Sequence, residues 1–294
     1  MASENSLEQT GSSGRRAESA TVGSRADWVA RSPYEFAGLR AQLFREALAE
    51  YPNARRDDYY LMRKFLDPQP GDQVLGFGEG SGYFCGAIAN GVGPTGRYLI
   101  TDPSPELVAS LPEAVERLPQ VKVTISPVEQ LDIESESFDK AWACGAFHHC
   151  PNQTDAFRRV FQALKPGGRL VLFDVFQGTP LARHFDASVA RYCATGHEVK
   201  FMSEEFARTL CFLAGFPDKN VEIVDVPHRL CFASEWDMGK FIYKMHAMTL
   251  FPGTLDERIQ ATLDGVKAHL TVERDGDGVV LHFDQKGIIA HKAL

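Results

Sequence analysis

The sequence predicts an α/β fold in which a parallel sheet carries helices on both faces. Three observations support that. From Gln73 to Phe176, short apolar runs alternate with helical patterns, the signature of consecutive βαβ units. In VLGFGEGSG (Val74 to Gly82), glycines follow an apolar run at alternate positions, where backbone N–H groups at a helix start face a ligand. Asp102 closes the second apolar run, 20 residues beyond Gly82, where an acid accepts hydrogen bonds from ribose hydroxyls.

The elements follow in order. Residues 1–25 are rich in Ser, Gly, Glu and Arg without periodicity and read as a disordered tail. From Trp28 to Pro52 the apolar spacing predicts a helix, with Phe36, Leu39, Leu43 and Leu48 sharing one face. A second helix runs from Arg55 to Leu66 and is stopped by Pro68 and Pro70. Together these make a helical lid over 26–70. QVLGF is the first strand, Ser81 to Asn90 a helix, RYLIT the second strand and Ser104 to Leu118 a helix. VKVTI and FDKAWACG are the third and fourth strands. A helix from Thr154 to Leu164, a KPGG turn and RLVLFDVF, the fifth strand, complete a core over 71–178. Beyond it, 179–200 reads as helical, and SEEFARTLCFLAGF opens with a capping-box pattern at Ser203. VEIVDV is a sixth strand, MGKFIYKMHAMTLF and LDERIQATLDGVKAHL are helical, and VVLHF with KGIIAHK forms a final strand pair. Residues 179–294 therefore finish the sheet and add a helical cap.

Composition narrows the function. With 31 Lys and Arg against 39 Asp and Glu, the net charge is −8, which disfavours a nucleic-acid footprint. No apolar run approaches the ~20 residues that span a bilayer, and no secretory apolar segment opens the chain. Six scattered cysteines without a CxxC pair fit a reduced, cytoplasmic setting better than a disulfide framework or zinc knuckle.

The ligand of the glycine loop is constrained by register and charge. A dinucleotide loop needs G-x-G-x-x-G, but counting from Gly76 the sixth residue is Ser81, and from Gly78 it is Tyr83. A pyrophosphate beside Glu79 would also meet like charge in a partly desolvated site. S-adenosylmethionine, with a sulfonium, an amino group and no phosphate, suits the loop. Asp102 binds its ribose on this reading; the bland alternative is that Asp102 only caps the next helix.

VLGFGEGSG, LITDPS, SFDKAWACGAFHH and LKPGGRLVLFD, in that order and spacing, resemble the class I S-adenosylmethionine-dependent methyltransferases. The likeness is greatest to the small-molecule branch near the ubiquinone and menaquinone C-methyltransferases. It implies a Rossmann-like seven-stranded sheet, order 3-2-1-4-5-7-6 with the last strand antiparallel, and a cofactor at the strand C-termini. It also implies cofactor contacts from Gly76, Gly78, Glu79, Gly80, Gly82, Asp102, Pro103, Val128, Glu129 and Cys144. The sequence departs from the family twice. Gly76 stands where an acid usually holds the methionine amino group, and Pro127 stands where an acid usually lies near adenine. Glu79 and Glu129 are the neighbouring acids that would compensate, and a relative that binds cofactor without transfer stays open.

Methyl transfer rests on positioning, with a base to receive the acceptor's proton. His148 and His149, just after the fourth strand, are the candidate bases; packing is their bland role. Asp174 faces the same cleft, and His184, Asp186 and His197 lie in the segment that roofs the pocket in this family. Cys144 and Cys150 are near each other, but nothing else favours the thiolate chemistry of arsenite methyltransferases. The aromatic residues after the fourth strand, Phe173, Phe176, Phe185, Tyr192, Phe201, Phe232, Trp236, Phe241 and Tyr243, favour a small, moderately hydrophobic acceptor over protein or RNA. No metal is expected, and a homodimer is left open.

Overall fold

The structure, a computed structural model, describes residues 36–197 and 199–294. The expected tail over 1–25 and the start of the first helix lie outside the described residues. The first helix described is α1 (Gly38–Glu50), followed by α2 (Arg56–Phe65). The alternating core then runs β1 (Gln73–Phe77), α3 (Cys85–Val92) and β2 (Arg97–Asp102). Two short helices, α4 (Pro105–Val108) and α5 (Glu113–Glu116), precede β3 (Val121–Ile125). β4 (Phe138–Cys144), α6 (Gln153–Ala163) and β5 (Leu164–Asp174) complete the parallel part. The single helix expected over 104–118 is therefore two. Pro112, at the N-cap of α5, has no N–H to continue α4.

The large sheet has the order β3-β2-β1-β4-β5-β10-β6, with β6 at Val221–Val226 and β10 at Gln285–His291. β10 lies antiparallel to both β5 and β6. That is the expected seven-stranded topology, with β10 as its last strand. The expected strand pair at the C-terminal end is not one. Residues of VVLHF form β9 (Gly278–His282), which joins β7 (Arg229–Phe232) and β8 (Val272–Asp275) in a separate three-stranded sheet. The Asp275 to Gly278 turn, with Gly276 at φ +58°, closes a hairpin there, and Phe283 and Asp284 carry the chain back to the large sheet.

Apolar side chains fall into three clusters. Two fill the opposite faces of the large sheet, around Leu75, Phe138 and Leu172 on one side and Val74, Tyr98 and Trp142 on the other. The third belongs to the cap, where Phe185 and Phe232 pack with Phe241 of α10 (Glu235–Met245) and with α11 (Leu255–His269). Not all the aromatics expected in the cap are there. Phe173 and Phe176 belong to the sheet clusters, and Trp236 is exposed. In α1 the buried positions are Arg40, Ala41 and Ala47, while Leu39 of the expected apolar face is exposed.

The segment after β5 is a broken helix. α7 (Pro180–His184) passes through a π turn (Phe185–Val189) into α8 (Ala190–Tyr192). α9 (Glu204–Ala214) is capped by Ser203, whose hydroxyl accepts the Phe206 N–H at 3.1 Å. The full capping box is at α11, between Thr254 and Glu257. No helix among the described residues is long and apolar enough to cross a membrane.

Candidate functional site

The glycine loop leaves β1 at the centre of the sheet. Gly78 has φ +65°, and a Cβ there would overlap that of Ala146, so the loop lies directly on the turn after β4. Its position is fixed from β2. Gly78 N–H donates to the Thr101 carbonyl at 2.9 Å. The Asp102 carboxylate accepts from Gly80 N–H at 2.9 Å and from Ser104 N–H at 2.8 Å. The helix after β2 is capped by Ser104, whose Oγ accepts the Leu107 N–H at 3.2 Å. Asp102 is therefore the clasp between loop and strand, not a helix cap. Burial raises its pKa, against the two N–H groups, which lower it.

Glu79 turns inward. Its carboxyl accepts the Tyr98 hydroxyl at 2.6 Å, with the Cys85 thiol 3.8 Å away. Burial pushes its pKa up to about 7, although the Tyr98 hydrogen bond lowers it. A Cβ built on Gly76 would lie 2.6 Å from Glu79 Oε1 and 2.6 Å from the Tyr98 hydroxyl. The carboxyl of Glu79 thus stands where a side chain at position 76 would begin. An acid at 76 and the observed Glu79 conformation exclude one another sterically.

The other expected cofactor residues gather on the same edge. Pro103 follows Asp102, and Val128 is buried in a 3-10 turn with Glu129 beside it. Glu129 accepts the Cys150 thiol at 3.3 Å. Cys144 ends β4, and burial holds its thiol well above the ordinary range. α2 closes against the loop, with the Tyr59 hydroxyl donating to the Tyr83 carbonyl at 2.8 Å and the two rings stacked at 4.7 Å. Arg55 lies over the Tyr83 ring at 4.7 Å and donates to Asp58 at 2.7 Å. Asp58 also meets His228 Nδ1 at 2.9 Å. Burial would raise the Asp58 pKa, but Arg55 and His228 outweigh it. Sequence spacing gives no sign of this buried trio.

His148 and His149 follow β4 in a 3-10 turn beside the end of β5. Asp174 is fully buried and contacts His148 twice, accepting its backbone N–H at 2.8 Å and facing Nδ1 at 2.5 Å. From the cap, His197 packs onto both rings, 5.3 Å from His148 and 5.1 Å from His149 between centroids. Burial, then the neighbouring histidines, lowers the His197 pKa. Phe36, Phe185 and Phe201 wall the group with ring contacts of 5.0–5.4 Å. Arg40 of α1 donates to Thr195 Oγ1 at 2.9 Å and to the Gly196 carbonyl at 3.3 Å, fixing the turn that presents His197. His246 packs edge-on against Phe185, at 4.9 Å. Of the other expected roof residues, His184 contacts the Gly265 carbonyl at 3.2 Å inside the cap. Asp186 lies in the π turn and is not among the group. Arg40 and His246 were not foreseeable, because their approach depends on how the cap folds back.

Residues 75–172 match the family described as a methyltransferase domain. That similarity covers a third of the chain. An arsenite methyltransferase of Halobacterium salinarum is 27% identical over 186 residues, 60% of this chain and 45% of that protein. A ubiquinone/menaquinone biosynthesis C-methyltransferase of Hydrogenovibrio crunogenus is 28% identical over 123 residues, 40% of this chain and 48% of that protein. The chain thus spans about half the length of these curated relatives. A Haemonchus contortus phosphoethanolamine N-methyltransferase 2, solved with phosphomonomethylethanolamine and S-adenosylhomocysteine, superposes with a TM-score of 0.60. It covers 91% of this chain and 60% of its own at 17% identity, a likeness of fold. The methyltransferase domain ends within β5, so the cap that supplies His197 lies outside the matched region.

Proposed function

We propose that the chain transfers a methyl group from S-adenosylmethionine to a small, partly hydrophobic organic acceptor. The observation that carries this reading is the position of the Glu79 carboxyl, 2.6 Å from where a Cβ of residue 76 would lie. The resemblance places an acid at 76 to hold the methionine amino group; here Glu79 brings its carboxyl to the same spot. A carboxyl kept in place by a different residue supports a working cofactor site rather than a remnant. Asp102 supports the ribose role as well. Its two oxygens offer about four acceptor positions, and the loop uses two of them.

Transfer moves the methyl carbon to an acceptor lone pair. The C–S bonding electrons return to sulfur, giving S-adenosylhomocysteine, and the acceptor sheds a proton. Activation of the acceptor rests on His148, backed by Asp174. The aromatic and histidine walls favour a buried organic acceptor over a macromolecule. Arsenic chemistry is less well supported. It needs converging thiolates, and among the described residues no group of three that includes a cysteine converges as potential ligands. The cytoplasmic setting expected from the scattered cysteines belongs to the same reading.

Ligand-induced thermal stabilisation tests the cofactor, and S-adenosylhomocysteine release across an acceptor panel tests transfer. Either cofactor form at a hundred times its dissociation constant is expected to stabilise by about 2.7 kcal/mol. No shift with either form ends the proposal. Stabilisation without turnover on any acceptor would favour a binding protein.

A further inference from the structure

The cap brings a third histidine to the pair after β4. We propose that His148, His149 and His197 bind one divalent transition-metal ion, which holds the acceptor through an acidic oxygen. The role of the ion rests on the proposed methyl transfer; its binding does not. With His148 Nδ1 on Asp174 and Nε2 on the ion, His148 serves as a ligand, and activation of the acceptor passes from the histidine to the metal.

One ring nitrogen from each of the three residues lies within 4.8 Å of the others. In a tetrahedral zinc site, with Zn–N of about 2.0–2.1 Å, the nitrogens stand roughly 3.4 Å apart. The rings therefore need to close by up to about 1.4 Å. Two of them have reason to do so. His148 Nε2 and His197 Nε2 are buried without a hydrogen-bond partner, in residues only 6% and 5% exposed. Buried polar atoms are rarely left so, because each unmet one costs about 1–3 kcal/mol. A metal ion satisfies both at once.

The supporting shell fits too. Ligating histidines commonly give their other nitrogen to a carboxylate, which fixes the tautomer and aims the free lone pair. Asp174 does that for His148 Nδ1, and Asp174 is itself held by the backbone N–H groups of His148 and Val175. His197 is steadied from behind by the Arg40 bonds to Thr195 and Gly196. Imidazole sets select zinc, iron, nickel or copper rather than magnesium or calcium. Three protein ligands leave a position open for substrate. Asp174 is negative and Arg40 positive nearby, so the divalent charge remains to be met by an anionic oxygen, such as a phenolate or enolate.

The test is metal titration of the full chain after chelator treatment, with Co²⁺ followed by visible absorption and Zn²⁺ by competition. One equivalent of Co²⁺ is expected to give ligand-field bands that Zn²⁺ displaces. His197→Ala is expected to weaken binding at least tenfold, and Asp174→Asn by about 10–100-fold, the range for such supporting groups. Thermal stabilisation by S-adenosylhomocysteine, measured on each variant, shows that it is folded. Metal binding by the wild type no tighter than by the triple His148→Ala, His149→Ala, His197→Ala variant overturns the site, as does unchanged binding in His197→Ala. If the metal binds but S-adenosylhomocysteine does not, the cofactor reading fails and the site stands.

Discussion

The glycine-loop side and the cap side of the sheet edge differ in how their polar groups are partnered. On the loop side the partners are close in sequence: Glu79 meets Tyr98 19 residues away, and Asp102 meets Gly80 22 residues away. Each carboxylate there has donors supplied by the βαβ unit. On the cap side His148 meets His197 from 49 residues away, and Arg40 reaches Thr195 over 155 residues. Nε2 of His148 and of His197 is left without a protein donor or acceptor. One side is a local device completed by its own strand and loop. The other is assembled by tertiary packing and is incomplete as protein alone.

The largest expected effect breaks the local device. Asp102→Ala removes the acceptor for two backbone N–H groups. At about 1–3 kcal/mol each, the cost is roughly 2–6 kcal/mol of folding stability, together with a loss of S-adenosylhomocysteine affinity. His197→Ala, by contrast, is expected to leave S-adenosylhomocysteine affinity within twofold. Urea unfolding and ligand titration of the two variants check this. An unchanged midpoint in Asp102→Ala would mean that the loop is held by something else.

This contrast also explains what could be read in the sequence. The loop, Asp102 and the parallel core were legible because βαβ units are contiguous and their spacing is fixed by strand and helix geometry; the sheet order was implied by the resemblance. Even there the inward turn of Glu79 was open, since nothing in the spacing reveals Tyr98 beneath Gly76. The rest was read less well. In the core Pro112 split a helix, in α1 Leu39 faces outward, and beyond β5 the Asp275 to Gly278 hairpin drew β9 into its own sheet. His197 appeared only as one of several histidines after β5. Its approach to His148 depends on a broken helix and a turn held by Arg40, neither of which has a periodic signature.

A smaller effect sharpens the Glu79 assignment. Glu79→Ala is expected to weaken cofactor binding by about 2 kcal/mol, the scale of one charged hydrogen bond. Gly76→Asp alone should destabilise the protein, because its Cβ meets Glu79 Oε1 and the Tyr98 hydroxyl at 2.6 Å. In the double variant Glu79→Ala, Gly76→Asp that obstacle is gone and the carboxyl returns by the other route. Affinity is expected to recover most of the loss. Calorimetric titration with S-adenosylhomocysteine measures it, and a double variant no better than Glu79→Ala would separate the carboxyl at this spot from cofactor binding.

The gentlest probe leaves the covalent structure alone. Burial holds the Glu79 carboxyl protonated up to a pKa of about 7 in the free protein, whereas an ammonium ligand favours the ionised form. Binding therefore expels a proton below pH 7. Affinity for S-adenosylhomocysteine should fall by up to tenfold, about 1.4 kcal/mol, per pH unit below 7, and flatten above it. Folding stability moves the other way. The Glu79 pKa is raised above its ordinary 4.5, so between pH 4.5 and 7 the folded state binds more protons than the unfolded one. Glu79 thus lowers stability as pH rises through that window. Glu79→Gln should remove both trends at once, leaving affinity weak and nearly level with pH. A slope that persists in Glu79→Gln would assign the proton elsewhere. The histidines of the cap would then be the groups to titrate, and the loop would lose its claim to be the self-contained side of the site.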